Sequence, residues 1–66
     1  MRDVNRIYKF CNELAAVWSQ PPCNDWRFGQ LMMNVLGKMQ SEGRDPFFPE
    51  EDEMMEYIKN YFNKEK

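Results

Sequence analysis

Residues 26–40 read WRFGQLMMNVLGKMQ and carry the strongest periodic signal in the chain. Phe28, Leu31, Met32, Val35, Leu36 and Met39 recur at the i, i+3, i+4, i+7 spacing of one helix face. Asn24 or Asp25 offers an N-cap ahead of them, and the pattern predicts a helix over about 26–40. Gly37 costs up to ~1 kcal/mol inside a helix, so it either frays the end or serves close packing. The opposite side is short of charge. Arg27 and Lys38 share one narrow stripe with Asn34, which leaves Trp26, Gly29, Gln30, Met33, Gly37 and Gln40 uncharged. Gly29 and Gly37 stand four residues either side of Met33, a spacing that lets another backbone approach.

Upstream, Asp3 is a suitable N-cap for a helix over about 4–20. Val4, Ile7, Tyr8, Cys11, Leu14, Ala15 and Trp18 form its expected core face, with Phe10 and Val17 on the edge. Pro21-Pro22 stops it. Downstream, Asp45-Pro46-Phe47-Phe48-Pro49 reads as a rigid turn whose Phe47 and Phe48 are expected to plug the open end of a bundle. Asp45-Pro46-Phe47 also matches a short motif of endocytic adaptor ligands, but such motifs work in disordered tails. Pro49 suits the first position of a third helix over about 49–63, with Glu50, Glu51, Asp52 and Glu53 in its positive first turn. Met54, Met55, Ile58, Tyr61 and Phe62 make the apolar face, Tyr57 flanks it, and Lys64 and Lys66 suit the negative end. No stretch alternates with period two. The expectation is an all-α fold, three amphipathic helices in one small bundle covering 1–66.

Composition narrows the chemistry. The 66 residues carry a net charge of −2 and no His, which removes the commonest general base and zinc ligand. Cys11 and Cys23 are not at metal-ligand spacing; they are expected as thiols, Cys11 on the apolar face of its helix. Ser19 and Ser41 have no activating base nearby in sequence. Gly37 to Gly43 lacks the Lys-Ser/Thr ending of a phosphate loop. The acidic run at 50–53 reads as a helix first turn rather than a catalytic set. The chain is therefore expected to be no enzyme, with no catalytic residue, no cofactor and no metal. No apolar run is long enough to span a membrane and no leader is apparent, so a cytoplasmic protein without a membrane partner is expected. Nucleic acid is an unfavoured partner, because the third helix would present four carboxylates to phosphates.

Arg2-Asp3, the segment Asp25-Trp26-Arg27-Phe28-Gly29-Gln30-Leu31, and Asp45-Pro46-Phe47 recur in this order in a family of small bacterial and phage proteins that the chain resembles. The resemblance covers nearly the whole chain and implies a bacterial or prophage-encoded cytoplasmic protein. No activity or ligand comes with it, so no functional residue is carried over.

Two polar sets have local readings. Asp25 is expected to cap the second helix, with Arg27 paired to an acidic group of the third helix or the linker. Arg2, Arg6 and Lys9 sit badly at the positive end of their own helix, and could meet 50–53 to dock the first helix on the third. The functional expectation is a small protein-interaction or regulatory module, a homodimer acting through helix faces; a phage-encoded inhibitor of a host or defence protein is one form of it. Its expected interface is Trp26 and Met33 near a twofold axis with Gly29, Gln30 and Gly37, and Phe10 and Val17 as a secondary contact. The alternative is a dimeric nucleic-acid-associated regulator.

Overall fold

The computed structural model describes residues 2–65, with side chains described as far as Asn63. Three helices, α1 (Asn5–Trp18), α2 (Phe28–Ser41) and α3 (Glu51–Glu65), follow one another, with a single 3₁₀ turn at Cys23–Asp25. Among the described residues there is no strand, and no helix is long and apolar enough to cross a membrane. The fold is the small all-α arrangement expected. The dipole role expected of Lys64 and Lys66 lies outside the described side chains.

Each helix boundary has a local cause. Asp3 Oδ1 accepts the Asn5 N–H at 2.9 Å and opens α1, although Val4 holds the cap position itself. α2 starts two residues later than its apolar period suggests, because Trp26 and Arg27 are extended. Asn24 and Asp25 therefore lie in the 3₁₀ turn rather than capping α2. In their place Gln30 Oε1 accepts the Arg27 N–H at 2.8 Å, half of a capping box. Gly43 ends α2 at φ 80°: its N–H reaches the Gln40 carbonyl and that of Arg44 the Met39 carbonyl. These are the paired bonds of a Schellman cap, and glycine is the residue that takes this φ without strain. α3 begins at Glu51 rather than Pro49, with the Met54 N–H bonded to the Glu50 carbonyl.

α1 and α3 run in the same direction, side by side. Arg2 meets Glu50 at 2.7 Å, Arg6 meets Glu51 at 3.0 Å, Lys9 meets Asp52 at 3.9 Å and Glu13 meets Lys59 at 4.0 Å. Parallel helices place two positive ends together, and the α3 carboxylates offset both. The row lies along the same side of α1 as its core contacts. Its inner side carries Arg6, Phe10, Glu13, Leu14, Val17 and Trp18, about a quarter turn from the expected face. Val4, Ile7, Tyr8 and Cys11 consequently face outward, and none of α1 is fully buried. The expected packing of Cys11 is corrected accordingly. No disulfide joins it to the buried Cys23.

α2 crosses α3 in the opposite sense. Trp26, ahead of its first turn, packs on Tyr61 and Phe62 near the end of α3, whereas Glu42, just past its last turn, accepts the Tyr57 hydroxyl hydrogen bond at 2.7 Å. Leu31 and Val35 of α2 close the core with Met55, Ile58, Tyr61, Phe62 and Cys23, and Met39 is equally buried. Phe28 departs from its expected core place. It is exposed, tilted against Trp18 with ring centres 6.2 Å apart.

Candidate interaction face

The rigid turn between α2 and α3 behaves differently from a plug. Asp45 Oδ1 accepts the Phe47 N–H at 2.9 Å, and Pro46 and Pro49 fix their own φ on either side. The turn is thus stiff, and it holds its aromatics outward: Phe47 is 83% and Phe48 73% exposed. Their rings meet edge to face at 5.0 Å between centres, a favourable geometry that gives the pair one shape. The expectation that they close the bundle is corrected.

Pro46 is the wall between two grooves. On one side Ile7, Phe10, Phe47, Pro49, Glu51 and Met54 surround a groove of about 310 Å³. On the other, Met32, Met33, Leu36, Gly37 and Gln40 line a second of about 360 Å³, with no charged side chain in its walls. Met33 is 77% exposed at its rim. A Cβ placed on Gly37 would meet nothing within 4 Å, so the glycine serves no internal packing and leaves open space over the helix.

The structure separates the interface residues that the sequence groups together. Met33 and Gly37 share the open groove, and Gly29 is also open to solvent. Gln30 is exposed but engaged in the α2 cap. Trp26 is half-buried on Tyr61 and Phe62, which takes its ring off the outward side of α2. Phe10 and Val17 pack against the core from α1, so the expected secondary contact lies in the α1–α3 seam. Phe47, Phe48 and Pro46 were the residues missed; the clue was an aromatic pair flanked by prolines, which stiffens a turn wherever it points.

The charged groups around this face are mostly committed elsewhere. Lys38 pairs with Glu42 at 3.4 Å, and Arg44 lies over the Tyr57 ring at 5.0 Å. Partial burial, with the hydrogen bond to Glu42, pushes the Tyr57 phenol from its ordinary 10 up to about 12. Arg27, expected to pair with α3 or the linker, makes no ion pair among the described residues. No family model, curated protein or solved structure matches the chain.

Proposed function

We propose that the protein is a small non-enzymatic protein-interaction or regulatory module that works as a homodimer, a prophage-encoded cytoplasmic regulator being the setting that its family resemblance suggests. The observation that carries this reading is the open, uncharged groove lined by Met32, Met33, Leu36, Gly37 and Pro46, with Met33 exposed at its rim. A face of this kind is an aggregation liability on a monomer and a resource for a binding protein.

The nucleic-acid alternative has less support. Arg2, Arg6, Lys9 and Lys59 already face carboxylates, so a phosphate backbone would have to displace them. Sedimentation velocity across a dilution series tests the reading. Dimer at tens of micromolar, dissociating on dilution, is the expected result; a monomer throughout would overturn it. Retention on heparin at low salt, lost steeply as salt rises, would favour the nucleic-acid regulator instead.

A further inference from the structure

We infer that α1 is a releasable strap, lifting from α3 as one unit while α2 and α3 stay packed, and that charge rather than deep burial holds it down. The device needs a single copy, so it stands apart from the homodimer proposed above. Burial divides the helices unevenly. Among the described residues, every fully buried side chain lies in the 3₁₀ turn, α2 or α3, and α1 contributes none. α2 and α3 close on each other through Leu31, Val35, Met55 and Ile58, with Trp26 against Tyr61 and Phe62 at one end and the Tyr57–Glu42 hydrogen bond at the other. α1 lies over that pair with Phe10, Leu14, Val17 and Trp18, each half-buried.

Charge is distributed the other way. The contacts of Arg2 with Glu50, Arg6 with Glu51, Lys9 with Asp52 and Glu13 with Lys59 all bridge the α1 and α3 segments. These pairs stand open to dissolved ions, since even Arg6 and Glu51 are about one-third exposed, and exposed pairs weaken as salt rises. The segment with the least buried apolar surface opens first, below the energy of global unfolding. The joint also allows release: residues 19–22 are all exposed, so lifting α1 pulls no side chain of theirs from the core. Once free, a helix of 14 residues is marginal in water, and its amides lose protection. Release bares the inward sides of Phe10, Leu14, Val17 and Trp18 and unpairs Glu51, so ionic strength governs surfaces that the docked state covers.

Hydrogen exchange of the whole chain, followed by mass spectrometry at low micromolar concentration over a sodium chloride series, tests the strap. Amides in the middle of α1 should exchange at least about tenfold faster than those around 31–39 and 55–62. Going from about 0.02 M to about 1 M salt should speed α1 by a further factor of about ten, the sum of four weak pairs, and change the two reference stretches by less than about twofold. Arg6→Gln should speed α1 by roughly threefold at low salt and flatten its salt response, with the references again unmoved. Exchange of all three helices in step would show one cooperative unit and overturn the release. An α1 that leads but ignores both salt and Arg6→Gln would overturn charge as its hold.

Discussion

Arg6 Nε stands 3.0 Å from Glu51 Oε1, and this pair joins the positive ends of two helices that run side by side. Both side chains are about one-third exposed, more enclosed than Lys9 with Asp52 or Arg2 with Glu50. The row goes with a rotation of α1 in which Val4 and Tyr8 face outward while Phe10 and Val17 pack on the core.

A double-mutant cycle on Arg6→Gln and Glu51→Gln should therefore give a coupling of about 0.5–1 kcal/mol, lost in molar salt. The same cycle on Lys9 and Asp52 should give close to zero. Urea denaturation of the four proteins in each cycle reads both values. Equal coupling in the two cycles would show that enclosure of the Arg6–Glu51 pair has no part in docking α1.

Alkaline titration isolates Tyr57. Its phenol is raised from 10 to about 12 by partial burial first and then by the bond to Glu42. Since the folded value is the higher, the stabilisation is complete below pH 10 and disappears as pH rises through 12. Tyrosinate absorbance should include a phenol that ionises late, near pH 12, and Tyr57→Phe should abolish that late step. If the late step survives in Tyr57→Phe, the hydrogen bond to Glu42 is not its origin.

Phe28 and Leu31, three residues apart on α2, should respond very differently to truncation. Leu31 is completely buried, and Leu31→Ala should cost about 3 kcal/mol or more in cavity and lost transfer. Phe28 is exposed apart from its tilt on Trp18, so Phe28→Ala should cost ~1 kcal/mol, well short of the value for a core Phe. Chemical denaturation with matched m-values compares the two.

The helices themselves were legible because apolar spacing, prolines and acidic first turns all agreed. Leu31, Val35, Met39, Met55 and Ile58 are buried where the 3.6-residue period puts them. The docking of Arg2, Arg6 and Lys9 on 50–52 could also be anticipated, from charges that suit their own helix badly. What the sequence concealed is the direction each apolar group finally points. α1 carries more apolar residues than one neighbour can cover, and periodicity does not say which subset will be chosen; Phe10, Leu14, Val17 and Trp18 are the ones packed on the core. Phe28 sits on the correct stripe of α2, but one turn too early to reach the core. Trp26 precedes the first turn of α2 on extended backbone, so a helical projection assigns it the wrong side. At Pro46–Pro49 the residues specify stiffness, but a stiff turn can hold its rings outward or inward, and here both are held outward.

Methyl resonances of the methionines offer a direct view of the proposed face. Met33 lies at the rim of the groove, whereas Met39 and Met55 are buried in the same chain and serve as internal references. With ¹³C-methyl methionine and a dilution series from millimolar to micromolar, Met33 should shift or broaden with concentration in step with sedimentation. Met39 and Met55 should remain fixed. Spectra in which Met33 stays constant while the protein changes mass, or in which no methyl and no mass changes at all, would contradict self-association through this face.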